Sequence, residues 1–252
     1  MKTRLILNER DRRRVVACEP RTSVGFPIGI VAIKLDYPKL PGNVVNASTF
    51  DFPILYEEVA FEIEQLFAGD PSLEHAVVEA AQSLVRRGVR AVVGACGFFA
   101  HFQEAVADAV DVPVFMSSLV QAPMILAGLR RDQKVLVIAA DGPSVNAELL
   151  SHVGATPERL IVANVGDREA FTPIRWGKTT LDNGALIDDL CELVANQACE
   201  HPDIGAVLLE CSDLPPYSAD IQQACGLPVF DFITLINWAH HAVAQRPYYG
   251  EL

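Results

Sequence analysis

Long apolar runs are missing from this sequence. No stretch approaches the ~18 consecutive apolar residues that a membrane-spanning helix requires, so no membrane partner is expected. Residues 1–24 are basic but lack the continuous apolar segment of a signal peptide. Together these two absences predict a cytoplasmic protein.

Basic residues are also scarce. The 252 residues include 20 Lys and Arg against 32 Asp and Glu, which gives a net charge of -12. A nucleic-acid-binding protein needs a basic surface, so this class is excluded. Any site for an anionic ligand must therefore be built locally, from backbone N–H groups and helix N-termini.

Paired cysteines are absent as well. The chain has no CxxC pair and no Cys/His cluster with zinc-site spacing, so no metal is expected. In a reducing cytoplasm the cysteines are expected as thiols. There are six: Cys18, Cys96, Cys191, Cys199, Cys211 and Cys225.

Apolar runs that alternate with helical patterns indicate parallel sheets. The motif Val-Pro-Val-Phe at 112–115 recurs as Leu-Pro-Val-Phe at 227–230, each time after a strand that ends in cysteine and a helix. This weak duplication predicts an α/β fold of two similar Rossmann-like, or flavodoxin-like, domains with parallel sheets and an interdomain cleft. One domain would comprise residues 1–117 plus 228–252 and carry Cys96, and the other would comprise residues 118–227 and carry Cys211.

Three further segments carry specific predictions. A buried strand is expected at 28–33, followed by a Pro/Gly/Asn-rich loop at 36–46. Residues 55–67 have helical apolar spacing. The polar segment 167–183 is expected to be a lid or a surface loop.

Cys96 and Cys211 are the candidate catalytic residues. Each follows an apolar run and precedes a helix-start pattern, which is where parallel sheets place ligands. A thiolate can remove the proton beside a carboxylate if its pKa is lowered, and a second thiol can return the proton on the opposite face. This pair needs no cofactor. The alternative is that both are core residues, since free cysteine is often buried.

These residues carry a family resemblance. Gly-Ala-Cys-Gly at 94–97 and Glu-Cys-Ser-Asp-Leu-Pro-Pro at 210–216 resemble the aspartate/glutamate racemase superfamily, over most of the chain. The resemblance implies two similar α/β domains with the active site between them. It also implies a cofactor-independent cysteine pair, which maps onto Cys96 and Cys211. The family is often dimeric, and a homodimer stays open.

The sequence departs from the family at both cysteines. Many of its racemases have Asn-Thr after the first cysteine, where this chain has Gly97 and Phe98. Glutamate racemases have Thr-His after the second, where this chain has Ser212 and Asp213. The substrate is therefore not tied to glutamate or aspartate.

Six residues are candidates for substrate binding. Backbone N–H groups of three would hold a carboxylate: Gly97, Ser212 and Ser144, the last in a turn where the resemblance places substrate-binding hydroxyls. The other three have an alternative each: Phe98 lines the cleft or belongs to the core, Ser117 binds substrate or caps a helix, and Asn46 closes over substrate or is a solvated turn residue.

The predicted function is a cofactor-independent racemase or epimerase of a small, amino-acid-like carboxylate. One alternative is cis–trans isomerisation of an unsaturated diacid through a covalent Cys96 adduct. Another is a noncatalytic protein that binds a small molecule in the cleft.

Overall fold

The computed structural model describes residues 20–248 and 251. Cys18 and the outermost residues of the domain predicted at 1–117 plus 228–252 lie outside the described residues.

Two four-stranded parallel sheets form the framework. Their orders are β2-β1-β3-β4 and β6-β5-β7-β8, so the second sheet repeats the topology of the first. This confirms the predicted fold class. The strands are β1 (Ile28–Ile33), β2 (Ile54–Val59), β3 (Ala91–Gly94), β4 (Val114–Phe115), β5 (Lys134–Ala139), β6 (Leu160–Asn164), β7 (Ile204–Leu209) and β8 (Val229–Phe230).

Helices connect the parallel strands, except that the link from β1 to β2 is a long loop with one 3-10 turn at Ala47–Thr49. The helices are α1 (Ile63–Phe67), α2 (Glu74–Arg86), α3 (Gln103–Ala109), α4 (Ala122–Gly128), α5 (Ala147–Ser151), α6 (Thr172–Arg175), α7 (Asn183–Glu200), α8 (Ser218–Cys225) and α9 (Phe232–Val243). Within the described part of the chain, no helix has the length and apolar character needed to span a membrane.

The duplicated motif lies at equivalent places in the two sheets. Val114 pairs beside Val92 of β3, and Val229 pairs beside Val207 of β7. Both β3 and β7 are fully buried, since helices cover both faces of a parallel sheet. The two cysteines therefore follow equivalent strands at the carboxyl ends of their sheets.

The last helix returns to the first half of the chain. Strand β8 belongs to the second sheet, yet Phe232, Ile236 and Ala239 of α9 are buried against Ile28 and Ile30 of β1. Asp231 begins this helix: its carboxylate accepts from the Thr234 N–H at 2.8 Å. The division of the chain at residues 117 and 228 stays a prediction.

The helix predicted at 55–67 is wrong over its first half. Residues 54–59 form β2, which pairs along β1, and only Ile63–Phe67 is helical. Leu55 and Val59 are four residues apart, a spacing that fits a helix. The same two residues also share one face of a strand. Because β2 is an edge strand, it tolerates an exposed polar residue such as Glu58.

We expect the buried face of β5 to carry much of the stability of the second sheet. Val137 is fully buried in β5 and pairs beside Val162 of the edge strand β6, which is 36% exposed. Val137→Ala should lower the free energy of unfolding by about 1.5–3 kcal/mol, because it leaves a cavity in a packed core. Val162→Ala is the matched control and should cost much less in urea unfolding; equal losses would contradict this view of the core.

Candidate active site

One cavity collects the carboxyl ends of both sheets. Cys96, immediately after β3, and Cys211, immediately after β7, both line it, and each is at most 7% exposed. The cavity therefore brings the two sequence-predicted thiols together. Its lining is Ile33, Leu35, Tyr37, Val45, Ile63, Phe67, Ala95, Cys96, Ala140, Phe171, Ile174, Arg175, Cys211, Ser212 and Asp213.

Direct hydrogen bonds join the two cysteine segments. The Ser212 hydroxyl, next to Cys211, donates to the carbonyl of Ala95, next to Cys96, at 3.2 Å. The Val44 N–H, in the loop after β1, donates to the carbonyl of Ser212 at 3.4 Å. These bonds hold the two halves together directly beside the thiols.

The Asp213 carboxylate accepts a hydrogen bond from Cys211. The Cys211 thiol donates to Oδ2 of Asp213 across 3.5 Å. Asn43 donates to Oδ1 of the same carboxylate at 2.6 Å, and the Tyr37 hydroxyl donates to it as well. Burial raises the pKa of Asp213, while the hydrogen bonds from Tyr37 and Asn43 lower it. Three donors around one acidic group are the surroundings expected of an ionised carboxylate.

The resting state of both thiols is protonated. Burial raises the pKa of Cys96 well above its usual value, and the charges of Glu210 and Asp213 raise it further. Burial also raises the pKa of Cys211, followed by the charges of Asp213 and Glu210. The backbone N–H groups of Phe98 and Asp213 act in the opposite direction on the two sulfurs. A thiolate therefore forms only when its proton has a local acceptor.

Glu210 lies behind the thiols and is fully buried. Its Oε2 accepts from the Ala140 N–H at 3.1 Å, whereas Oε1 has no partner. Its carboxyl group occupies the space beside Gly97: a Cβ there would lie 1.9 Å from Oε1. Burial is the main cause that raises the pKa of Glu210 to about 8.

Arg175 brings a positive charge to the cavity wall. Its guanidinium is bound by Glu64 at 3.1 Å and Asp141 at 3.2 Å, and its carbon lies 5.1 Å from the centre of the Phe67 ring. The side chain is 11% exposed, and its Nε has no hydrogen-bond partner. Since Glu64 belongs to α1 and Arg175 to α6, this ion pair also joins the two halves.

The residues predicted to bind substrate are scattered. Of the six, Ser212 lines the cavity. Gly97 packs against Glu210, and Phe98 is buried in the core with its ring 4.5 Å from that of Phe67. The binding roles of all six stay predictions.

The remaining three lie in local turns outside the cavity lining. Ser117 is fully buried, and its hydroxyl accepts from the Leu119 N–H at 3.1 Å. Asn46 caps a 3-10 turn by accepting from Ser48 N–H at 3.0 Å. Ser144 ends the 3-10 turn Gly142–Ser144, where its own N–H donates to Asp141 at 3.1 Å.

Five residues of the site were missed by sequence reasoning, and one of them is Asp213, which was named only as a departure from the family pattern. Tyr37 and Asn43 lie in the loop after β1, and no local pattern connects them to Asp213. Arg175 lies in the polar segment 167–183, where it was one of several basic residues. Glu210 directly precedes Cys211, and alternation along a strand points neighbouring side chains to opposite faces, so the sequence does not pair it with that thiol. The structure turns it toward Ala140 and Gly97 instead.

No group of three or more His, Cys, Asp or Glu side chains among residues 20–248 and 251 is arranged to hold a metal ion. The acidic groups of the site, Glu210 and Asp213, belong to the thiol cluster.

The chain is similar in sequence to curated proteins. The chain is 31% identical over 232 residues to the dimethylsulfoniopropionate lyase of Durusdinium sp. clade D, covering 88% of this chain and 77% of that protein. It is 29% identical over 252 residues to dimethylsulfoniopropionate lyase 3 of Emiliania huxleyi, covering 95% of this chain and 64% of that protein. No family model matches the chain.

Solved structures share the fold. A glutamate racemase of Bacillus anthracis superposes with a TM-score of 0.55 at 15% identity, over 87% of this chain and 83% of that chain. The allantoin racemase of Pseudomonas fluorescens gives 0.53 at 15% identity, over 89% and 99%. The resemblance to the aspartate/glutamate racemase superfamily is thus confirmed in the fold.

The prediction of a racemase or other isomerase is wrong. The sequence relatives are named for a lyase reaction, and the racemase likeness is one of fold. The reason for the error is chemical. Removal of a proton beside a carboxylate begins both a racemisation and a β-elimination, so a thiol base does not distinguish them.

The close contact of Gly97 with Glu210 should make residue 97 intolerant of any side chain. Gly97→Ala places its Cβ within 2.5 Å of three Glu210 side-chain atoms, which have no room to move away in a packed interior. We expect a loss of about 1–3 kcal/mol in the free energy of unfolding. Gly128→Ala is the matched control, because no atom lies within 4 Å of its Cβ position. A Gly97→Ala protein as stable as the control would contradict the geometry.

Proposed function

This chain belongs to the dimethylsulfoniopropionate lyase family, and we propose from its cavity that it cleaves the carbon–sulfur bond of dimethylsulfoniopropionate by β-elimination. The observation that carries the proposal is the Cys211 thiol, which lines the cavity while hydrogen-bonded to the Asp213 carboxylate. The chain spans 64% of the length of the Emiliania huxleyi relative. The substrate and the reaction are therefore proposed from the residues of this chain's own cavity.

The substrate is a zwitterion, and the cavity has a charge for each end. Arg175 is the cationic side chain among the described lining residues, and Asp213 is the acidic one. The Nε–H of Arg175 is buried and has no hydrogen-bond partner, and we propose that this group binds the substrate carboxylate, for which a guanidinium has the matching planar geometry. The dimethylsulfonium end is attracted by the negative charge shared between Cys211 and Asp213. The aliphatic lining side chains Ile33, Leu35 and Val45 accommodate its methyl groups.

Cys211 is the proposed base. Its proton passes to Asp213 Oδ2, which already accepts it in a hydrogen bond, and the thiolate then removes a proton from the carbon beside the substrate carboxylate. The electron pair of that C–H bond forms the carbon–carbon double bond, the C–S bond breaks, and its electrons leave with neutral dimethyl sulfide. Acrylate remains, and one proton per turnover is released to solvent from the Cys211–Asp213 pair.

Asp213 makes this thiol the better base of the two. Transfer of a proton within the Cys211–Asp213 pair keeps the total charge constant, so the low-dielectric cavity does not oppose it as it opposes a free thiolate. No side-chain acceptor is paired with Cys96 among the described hydrogen bonds. Cys96 instead is proposed to donate its S–H to the enolate charge that develops on the substrate carboxylate.

Substitution of Cys211 should abolish elimination. Cys211→Ser leaves a hydroxyl that is a far weaker acid than a thiol, so we expect kcat to fall by at least about 10³-fold. Cys96→Ser should fall by roughly 10- to 100-fold, since it removes a donor and keeps the base. Dimethyl sulfide measured by headspace gas chromatography and acrylate measured by liquid chromatography report the reaction.

Cys199→Ser is the matched control, because Cys199 is exposed on α7 and lies outside the cavity lining. It should retain wild-type turnover. Wild-type protein that forms no dimethyl sulfide from dimethylsulfoniopropionate would sink the proposal. Full activity in Cys211→Ser would sink the assignment of the base.

Substitution of Arg175 should weaken substrate binding more than chemistry. Arg175→Lys keeps the charge but loses the planar pair of donors, so KM is expected to rise about 10-fold or more with a smaller change in kcat. Arg168→Lys is the matched control: this residue pairs with Asp189 at 3.5 Å in the same chain segment and does not line the cavity. An unchanged KM in Arg175→Lys would exclude Arg175 as the carboxylate anchor.

A further inference from the structure

The proposed elimination leaves one buried acidic group without a task. Glu210 is 0% exposed and spans the two halves of the molecule, from the end of β7 to the backbone of Gly97 after β3. Only one of its oxygens is satisfied, by the Ala140 N–H. A buried carboxylate that is ionised needs several hydrogen-bond donors. Glu210 has one donor and one oxygen without a partner, which suits a neutral carboxylic acid better.

The groups that face Glu210 reinforce this view. Burial and the charges of Asp141 and Asp213 raise its pKa to about 8. In turn, a negative charge on Glu210 raises the pKa of both thiols. The guanidinium of Arg175 on α6, which donates to the carbonyl of Ala140, is already bound by two carboxylates. The charged and titratable groups around Glu210 are therefore Cys96 after β3, Asp141 after β5, Cys211 and Asp213 after β7, and Arg175 on α6.

A charge count sets the limit on what this cluster can do. The Cys211–Asp213 pair holds one negative charge from the resting state until the thiolate takes the substrate proton, and it regains that charge when the proton is released to solvent. A second negative charge on Glu210, in the same water-poor region, opposes the first by direct Coulomb repulsion. The reaction therefore proceeds with Glu210 neutral.

We propose that Glu210 is a positioning residue that works in its protonated form. Its side chain packs against the backbone of Gly97, the residue after Cys96, and its neutral form adds no second negative charge beside the cavity. When Glu210 loses its proton, its negative charge opposes formation of the Cys211 thiolate that reacts with the substrate. Glu210 does not line the cavity and does not touch substrate in this proposal, which rests on the proposed function only where turnover is concerned.

The first test compares the wild-type protein with Glu210→Gln, whose amide has the shape of the neutral acid. Iodoacetamide alkylation of Cys96 and Cys211 is followed against pH by peptide mass spectrometry, and the exposed Cys199 serves as internal reference. Below about pH 7 the two proteins should react alike, since residue 210 carries no charge in either: it is a protonated acid in the wild type and an amide in the variant. Above about pH 8 the variant's two cavity thiols should react about 3- to 10-fold faster, because one pKa unit is a tenfold change in thiolate.

Two results would overturn the proposal. Identical alkylation profiles at every pH would mean that the charge of Glu210 does not reach the thiols. A constant factor at every pH, with Cys199 unchanged, would mean that the substitution acts through packing and not through a proton. Neither result depends on dimethylsulfoniopropionate turnover, so this proposal and the proposed function can fail separately.

Turnover adds a readout that a packing role does not move. The alkaline limb of the kcat/KM profile should shift to higher pH in Glu210→Gln, since ionisation of the glutamate no longer suppresses the base. An alkaline limb at the same pH in both proteins would count against Glu210.

A measurement on the wild-type protein covers the case in which the variant does not fold. Glu210 is the one glutamate among the described residues that is buried, so its carboxyl carbon should titrate apart from the others in NMR spectra of protein labelled with 13C-glutamate. Because burial raises the pKa of Glu210 to about 8, we expect its resonance to change between about pH 7 and 9. If all glutamate carboxyl carbons finish titrating by about pH 6, the proposal is wrong.

Discussion

Repulsion between negative charges in a confined space governs the chemistry of this protein. Two thiols and the carboxyl groups of Glu210 and Asp213 lie in one buried region, and burial raises the pKa of all four. They cannot all ionise together. The hydrogen bonds decide where the charge resides: Asp213 has three donors, whereas one oxygen of Glu210 has none. In the proposed reaction, this difference gives the carboxyl groups of Asp213 and Glu210 opposite tasks.

The duplicated fold makes this cluster possible. Each half delivers one cysteine at the carboxyl end of an equivalent buried strand, and neither half contains the cluster by itself. The Ser212–Ala95 hydrogen bond and the Arg175–Glu64 ion pair both join the halves, and Ser212, Ala95 and Arg175 line the cavity. The proposed catalysis therefore depends on how two units with separate sheets are held against each other.

Fold and reaction separate clearly in this chain. Its fold matches racemases, while its sequence relatives are named for a lyase. The two classes of reaction share the removal of an acidic C–H proton and differ in what the resulting electron pair does next. A racemase returns a proton from the other side. An elimination needs a leaving group on the neighbouring carbon, and the charges at Arg175 and Asp213 suit a substrate that has one.

The sequence by itself determined the α/β class, the two similar halves and the positions of Cys96 and Cys211, because strand periodicity and a repeated motif are local properties. It did not determine β2, where helical and strand spacing coincide. Only the tertiary structure brought Tyr37 to Asp213, Arg175 to the cavity wall and Glu210 to Gly97. These contacts join residues far apart in the chain, and no local pattern encodes them. The pKa values follow the same division, since burial is a property of the folded molecule.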